Sequence, residues 1–203
     1  MPRSAFFSKD EIIAAALRIV RSKGMEGLSA RSLSKELNCS LSPIFTVYEN
    51  MDQIKNDVRV AAGKMFDAYV EDVTDYMPAF KEYGMRLVRF AVQEPVIFRI
   101  LFLEKETSHT YDSSKVNECL QDIRNDYGLS QDQTDMLFRQ MWPLACGLAM
   151  LSARNPETYS EESISEILSC EFSSMMYFIK SGRQVMNITP HIRRPDEKTT
   201  LEL

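Results

Sequence analysis

Apolar residues recur every three to four positions along most of this sequence, which is the spacing of one face of an α-helix. Stretches that alternate apolar and polar residues between hairpin turns, as half-buried strands do, are nearly absent. The pattern predicts an all-α fold of about nine helices. We expect an N-terminal three-helix helix-turn-helix domain followed by a C-terminal helical bundle.

Capping residues divide the first part of the chain into short helices. Ser8 opens a capping box ahead of the first helix, and Gly24 supplies a left-handed stop at its end. Ser29 caps a second helix, Asn38 lies in the tight turn after it, and Ser40 caps a third helix. Two short helices that are joined by a tight turn and braced by a preceding helix make a helix-turn-helix.

These signals predict the domain organisation. Residues 1–50 form the helix-turn-helix domain, and a fourth helix over about 51–75 links it to the rest. A helical bundle occupies 51–182, with a polar loop over 104–112. Residues 183–203 form a charged tail that we expect to be frayed.

Charge is distributed unevenly along the chain. The net charge is −5, but residues 1–60 carry nine Lys/Arg against seven Asp/Glu, whereas 61–203 carry 15 against 22. The asymmetry is small and has the sign expected of an N-terminal nucleic-acid-binding domain. Phosphate binding depends on the local placement of charge, so the acidic total does not exclude it.

Other classes of protein are disfavoured by composition. The four cysteines are scattered and only two histidines exist, so we expect neither a metal site nor a cofactor. No apolar run approaches the ~18 residues that span a bilayer, and the first residues lead directly into a capped helix without a signal peptide. We therefore expect a cytoplasmic protein with no membrane partner.

One segment carries a more specific pattern. A hydroxyl residue opens the second helix, a turn and a serine follow, and two aromatic residues three apart precede the start of the fourth helix. The residues run LSARSLSKELNCS from Leu28 to Ser40 and PIFTVYENMDQI from Pro43 to Ile54. This segment resembles the DNA-binding region of the TetR family of transcriptional regulators. It departs from the family at Asn38, where Gly is usual, and at Met51, where Lys is usual.

Two segments of the bundle extend the resemblance. The segment from Gln93 to Phe102 is similar to a proline-led short helix of these regulators. The segment from Trp142 to Leu148 is similar to a Trp-x-x-x-His-Gly segment of one subgroup, with Cys146 in place of His.

The helix-turn-helix yields a set of candidate DNA contacts. Thr46 is the best candidate for an exposed side chain on the recognition helix, and Phe45 is placed for a contact with a thymine methyl group. For Tyr48 we expect packing in the core as the main role and a phosphate contact as the lesser one. Lys55, one turn after Met51, partly substitutes for the lysine that is usual at that position. The full set is Ser29, Arg31, Ser40, Ser42, Pro43, Phe45, Thr46, Tyr48 and Lys55.

In the TetR family the C-terminal bundle binds a small-molecule effector and dimerises, and the resemblance implies both roles here. The candidate ligand-binding residues are aromatic or sulfur-containing side chains at helical spacing: Phe80, Tyr83, Phe90, Phe98, Phe102, Trp142, Cys146 and Met150. The same pattern is also typical of ordinary core, so both interpretations stay open. Helices eight and nine carry wide apolar faces, which favours a homodimer formed through them on a two-fold axis. Such a dimer would present two recognition helices to double-stranded DNA with a pseudo-palindromic operator.

The leading hypothesis is therefore a sequence-specific DNA-binding transcriptional regulator, a repressor that a small and largely apolar ligand releases from its operator. The alternative is a helical ligand-binding or adaptor protein whose degenerate helix-turn-helix does not read DNA. An enzyme is disfavoured, because neither His109 nor His191 has visible catalytic partners. Redox sensing through Cys146 is a minor variant.

Overall fold

The computed structural model describes residues 7–71, 73, 78–104 and 114–182. Every regular element in these ranges is helical, as the sequence predicts. The α-helices are α1 Lys9–Lys23, α2 Ala30–Glu36, α3 Leu41–Val47, α4 Met51–Tyr69, α5 Ala79–Gln93, α6 Pro95–Phe102, α7 Ser114–Tyr127, α8 Gln131–Arg154 and α9 Glu161–Lys180. A 3-10 turn, Met25–Gly27, follows α1.

Several predicted features lie outside the described residues. They are the N-terminal arm with Arg3, the residue Met77, both histidines, the tail 183–203 and all of the loop 104–112 except Glu104.

The caps of the N-terminal helices mostly follow the sequence prediction. The Ser8 hydroxyl accepts a hydrogen bond from the Glu11 N–H at 3.2 Å, and the Glu11 carboxylate accepts one from the Ser8 N–H at 2.8 Å. Ser29 caps α2 in the same way with Ser32 as its partner. Asn38 adopts a left-handed φ of +50°, which an amide side chain tolerates better than most.

The cap at α3 and the end of α4 differ from the prediction. Ser40 holds the N-cap position, but its hydroxyl makes no capping hydrogen bond to the described residues. Helix α4 ends at Tyr69, six residues before the predicted 75, and Val70 donates its N–H back to the carbonyl of Phe66. Val70 and Val73 are both buried, so apolar spacing continues past the last helical turn and conceals where it ends.

The N-terminal unit, α1 to α3, packs around a small core. Helix α1 lies against α2, α4 and α6, while α2 and α3 contact each other. Ile12, Ala16, Leu33 and Ile44 are fully buried between these helices. Burial of this kind contributes roughly 1.5–3 kcal/mol for each large aliphatic side chain. The short helices α2 and α3 therefore depend on tertiary packing for their stability.

Helix α5 is the central element of the bundle. It contacts α4, α6, α7, α8 and α9, and its contact with α8 is the most extensive. Gly84 allows the close approach of α9, because a Cβ atom at this position would lie 3.2 Å from a methyl carbon of Leu168. Helix α8 continues through Pro143, a residue that removes one hydrogen bond from a helix interior.

An aromatic cluster joins α4 to the bundle. The ring of Phe66 on α4 lies 6.0 Å from that of Tyr83, 5.1 Å from that of Phe90 and 5.0 Å from that of Phe102, all in edge-on geometry. Phe102 in turn contacts Trp142 of α8 at 6.1 Å. Edge-on pairs of this kind add about 0.5–1.5 kcal/mol each beyond the area they bury.

Candidate nucleic-acid interface and ligand cavity

Helix α3 presents one face to the core and the other to solvent. Ile44 is fully buried, whereas Leu41 and Phe45 are 45% and 38% exposed, and Ser42 and Thr46 are exposed beside them. The exposed face therefore combines two large apolar side chains with two hydroxyl residues on the second helix of a helix-turn-helix. No residue of α3 carries a charge.

The hydroxyl of Thr46 is used within its own helix. Its Oγ1 donates a hydrogen bond to the carbonyl oxygen of Ser42 at 2.9 Å. The donor is thereby satisfied, and what Thr46 has left to offer a partner is an acceptor lone pair and its methyl group. Together with Phe45, this makes α3 suited to apolar contacts more than to donor-based recognition.

Tyr48 lies in the core, which corrects its selection as a DNA contact. Its side chain is only 2% exposed, and its hydroxyl donates to Oδ2 of Asp57 on α4 at 2.9 Å. Burial, the hydrogen bond to Asp57 and the charge of that carboxylate raise the pKa of Tyr48 above its ordinary value. The residue joins α3 to α4, and little of it remains for a phosphate.

The other selected residues surround the exposed face of α3. Arg31 on α2 is exposed and has no ion-pair partner in the part of the chain that the structure describes. The hydroxyls of Ser40 and Ser42 are exposed, while Pro43 and Lys55 are half-buried. The Ser29 hydroxyl is occupied by its capping interaction with Ser32.

A cavity of about 460 Å³ opens between α5, α8 and α9, with the end of α7 at its edge. Its walls are largely apolar and aromatic. Phe80 and Tyr83 come from α5, Trp142 from α8, and Phe172 and Met176 from α9. The volume lies within the range of small-molecule sites, about 300–1,000 Å³.

The rim of the cavity is cationic. Lys81 and Lys180 are both lining residues, whereas none of the lining residues that the structure describes is Asp or Glu. Nζ of Lys180 lies 5.6 Å from the ring centroid of Tyr127, close enough for a cation–π interaction. Neither lysine forms an ion pair with another described residue.

Two carboxylates next to the cavity, those of Glu82 and Glu161, are already paired. Arg89 of α5 donates to both carboxylate oxygens of Glu161 on α9, at 2.8 and 2.9 Å. Glu82 accepts from Arg86 and from Arg89, each at 3.1 Å. The ion pair between Arg89 and Glu161 joins α5 to α9 beside the cavity, and it lowers the pKa of Glu161.

Solved structures of other proteins share this architecture. No protein-family model matches the sequence, and no curated protein matches it. A transcriptional regulator from Pseudomonas aeruginosa superposes with a TM-score of 0.63 at 14% identity, over 83% of this chain and 90% of that one. A TetR-family transcriptional regulator from Mesorhizobium loti does so at 0.56 and 16%, over 84% and 95%.

A third structure is NalD, the secondary repressor of the MexAB-OprM multidrug efflux pump in Pseudomonas aeruginosa. It superposes with a TM-score of 0.51 at 13% identity, over 82% of this chain and 94% of that one. The chain has the fold of TetR-family transcriptional regulators. The fold implied by the segment from Leu28 to Ile54 is thereby confirmed over most of the chain.

Within this TetR fold, three of the eight selected ligand residues line the cavity: Phe80, Tyr83 and Trp142. Phe90 and Phe98 do not, because Phe90 packs against Phe66 of α4 and Phe98 packs against Phe102 of α6. Phe102 is held between Phe66 and Trp142, and it too belongs to the aromatic cluster.

Cys146 and Met150 also lie away from the cavity. Met150 is 47% exposed on the outer side of α8. Cys146 is half-buried, and burial raises the pKa of its thiol to about 12. A thiol with so high a pKa is almost fully protonated at neutral pH, which disfavours the redox role considered from the sequence.

Sequence reasoning missed the contribution of α9 to this cavity. Leu168, Phe172, Met176 and Lys180 follow one another at intervals of four residues and line a single wall. The spacing was visible in the sequence, but it is equally compatible with a dimer interface. In the part of the chain that is described, no group of His, Cys, Asp and Glu could hold a metal ion. Nor does any described helix have the length and apolarity to cross a membrane.

Proposed function

We propose that this protein is a sequence-specific DNA-binding regulator of transcription, acting in the cytoplasm as a ligand-responsive repressor. The observation that carries the proposal is the exposed face of α3, formed by Leu41, Ser42, Phe45 and Thr46 on the second helix of a helix-turn-helix. A helix of this size fits the major groove, which is about 12 Å wide. The TetR fold over most of the chain supports the same function.

The chemistry of α3 favours recognition through thymine methyl groups. The helix has no charged side chain, Leu41 and Phe45 are its large exposed side chains, and the hydroxyl donor of Thr46 is already used. The methyl group of thymine is the apolar feature that the major groove offers. We expect Phe45 and Thr46 to contact such methyl groups, while Arg31 and Lys55 reach the phosphate backbone.

A homodimer through α8 and α9 supplies the second recognition helix. Met150 and Leu151 of α8 are 47% and 49% exposed, and Tyr177 of α9 is 77% exposed. Gly147 lies on α8 between these residues and Pro143, with open space where its Cβ would be. An exposed apolar face next to a glycine suits close packing against a second copy of the same helices.

Ligand control is the remaining part of the proposal. Tyr83 and Trp142 line the cavity and also contact Phe66 and Phe102 of the aromatic cluster. Phe66 lies on α4, the helix that follows the helix-turn-helix. A ligand that shifts Tyr83 or Trp142 would therefore move α4, and with it the recognition helix α3 that precedes α4 in the chain. The likeness to NalD, a repressor, supports repression as the direction of control.

A mobility-shift experiment with the DNA upstream of the protein's own gene tests the proposal. We expect a retarded complex at low salt. Phe45→Ala and Thr46→Ala should each weaken specific binding by about 1–3 kcal/mol and leave the melting temperature nearly unchanged, because both side chains are exposed. Replacing thymine by uracil in the bound site, which removes only the methyl group, should weaken binding by the wild-type protein.

The matched control is Val60→Ala, which truncates an exposed apolar residue of α4 outside the recognition helix. This variant should bind as tightly as the wild type. Absence of a complex with folded protein would contradict DNA binding. An equal loss for Val60→Ala, or equal affinity for uracil and thymine sites, would contradict the role of α3.

The second candidate is an adaptor that binds ligands but does not read DNA. The near balance of Lys/Arg and Asp/Glu in residues 1–60 and the presence of Met51 in place of a lysine favour it. An adaptor would bind a cavity ligand and dimerise, but it would give no retarded complex in the same experiment.

A further inference from the structure

We propose that the cavity between α5, α8 and α9 selects an apolar ligand that carries one anionic group, such as an aromatic or aliphatic carboxylate or sulfonate. This inference rests on the proposed function, since it names the chemical class of the effector. It goes beyond the sequence, which predicted only a small and largely apolar ligand.

The walls of the cavity define the apolar part of the ligand. Phe80, Trp142, Phe172 and Met176 offer two aromatic faces, an indole and a flexible thioether to a space of about 460 Å³. The ring of Phe172 is fixed by an edge-on contact with Tyr127 at 5.5 Å. Walls of this kind bind a flat or flexible hydrocarbon body of two or three rings, because the burial of apolar surface drives the association.

The cations at the rim define the polar part. Lys81 lies near the start of α5, and Lys180 is the last residue of α9. The two belong to different helices, yet both line the same cavity. Within the described ranges, their ammonium groups form no ion pair, and no carboxylate lines the cavity.

The carboxylate that is adjacent to Lys81 in the chain is engaged elsewhere. Glu82 is held at 3.1 Å by both Arg86 and Arg89. Arg89 is in turn bound to Glu161 of α9. The charges of Glu82 and Glu161 are therefore balanced by Arg86 and Arg89, and the lining that the structure describes keeps the positive charge of the two lysines.

A cleft of one charge sign with apolar walls concentrates ions of the opposite sign, because the weakly polarisable walls focus the field. An anionic group at the rim would gain charge-assisted hydrogen bonds from Lys81 and Lys180 while its apolar body lies between the rings. A neutral ligand would gain only the second contribution, and a cationic ligand would be repelled. The hydroxyls of Ser169 and Ser173 on α9 line the same cavity and add further polar groups.

A pair of dyes that differ in one group tests the inference. The anionic probe is 8-anilinonaphthalene-1-sulfonate, and the neutral probe is N-phenyl-1-naphthylamine, which has the same ring system without the sulfonate. Trp142 is the only tryptophan of the chain and lines the cavity, so energy transfer from its indole to the dye reports binding at this site. We expect energy transfer with both dyes and at least about tenfold tighter binding of the sulfonate.

The double variant Lys81→Gln with Lys180→Gln isolates the charge. It should weaken the binding of the sulfonate dye by about tenfold or more and change that of the neutral dye by less than about twofold. The matched control is Lys35→Gln with Lys64→Gln, two exposed lysines of α2 and α4 that do not line the cavity. The control removes the same total charge and should leave both affinities unchanged. Circular dichroism melting curves confirm that each variant is folded.

The outcomes separate the inference from the proposed function. If the neutral dye binds at Trp142 as tightly as the sulfonate, or if the control loses as much affinity as the cavity variant, the anionic class is wrong while a ligand site stands. If neither dye gives energy transfer in the folded protein, the inference and ligand control both fail. DNA binding is measured separately in the mobility shift and does not depend on either dye.

Discussion

Arg21 on α1 and Glu94 at the junction of α5 and α6 form a bidentate ion pair, although they lie 73 residues apart in sequence. Nε of Arg21 donates to Oε2 of Glu94 at 2.9 Å, and Nη2 donates to Oε1 at 2.7 Å. The pair fastens the N-terminal unit to the central helix of the bundle.

We expect the coupling between Arg21 and Glu94 to be measurable in a double-mutant cycle. Arg21→Met and Glu94→Gln should each lower the free energy of unfolding, with a coupling of about 0.5–1 kcal/mol, since the side chains are 43% and 25% exposed and partly screened. Urea denaturation at low salt provides the measurement. The pair Arg18 and Glu36, joined by one hydrogen bond and more exposed, is the control and should couple less. Equal coupling in both pairs would contradict the special role of the bidentate contact.

Tyr48→Phe should cost about 1 kcal/mol of stability and leave DNA affinity within about twofold of wild type, because the lost hydroxyl binds Asp57 and not phosphate. The pKa of Tyr48 is raised above its ordinary value of 10.0, mainly by burial. The folded state thus holds the phenolic proton more tightly, so this contribution to stability is complete below pH 10 and is lost as pH rises beyond it.

Chemical denaturation over the alkaline range, together with DNA binding at neutral pH, checks this prediction. The wild type should lose stability above pH 10 more steeply than Tyr48→Phe does. A loss of DNA affinity far larger than the loss of stability would make Tyr48 a DNA contact and reverse the correction.

Glu161→Gln should lower stability at neutral pH by about 0.5 kcal/mol, a small value because the Glu161 side chain is 60% exposed. Its hydrogen bonds from Arg89 lower its pKa below the ordinary 4.5. The stabilisation is therefore present above pH 4.5 and disappears as pH falls through the lowered value. The difference between wild type and variant should vanish in acid. Glu162→Gln, the exposed neighbour without an ion pair in the described structure, is the control and should show no such pH dependence.

Gly147→Arg tests the dimer. A Cβ atom at this position would meet nothing within 4 Å among the described residues, so we expect the folded protomer to tolerate the substitution. In a dimer through α8 and α9 the arginine would lie in the interface, and we expect at least about a tenfold weaker association in sedimentation equilibrium. Ala68→Arg, on the exposed side of α4, should leave association unchanged. An unaltered dimer in Gly147→Arg would place the interface elsewhere.

Local chemistry explains which parts of this structure were predictable. The caps at Ser8 and Ser29 and the left-handed turn at Asn38 depend on hydrogen bonds and backbone preferences within a few residues. Helical periodicity likewise fixed the fold class. The end of α4 was placed too late, since the buried side chains of Val70 and Val73 continue the apolar spacing where the helix itself stops.

The cavity depended on tertiary geometry and was predicted only in part. Phe80 and Phe90 lie on the same helix, yet Phe80 lines the cavity beside α8 and α9, whereas Phe90 packs against Phe66 of α4. Neither periodicity nor composition contains that information. The pairing of Arg21 with Glu94 was equally invisible, because it requires the docking of α1 on the bundle.

The salt dependence of DNA affinity shows whether this protein binds DNA through its phosphates and reads its sequence. Fluorescence anisotropy with a labelled duplex from the upstream region and a scrambled duplex gives both affinity and specificity. Sequence-specific DNA binding predicts that the logarithm of the association constant falls linearly with the logarithm of salt concentration, with a slope of about −4 or steeper for several phosphate contacts. It also predicts a preference for the upstream duplex of about 10³-fold or more. Weak binding that salt does not change, with no preference between the two duplexes, would contradict it.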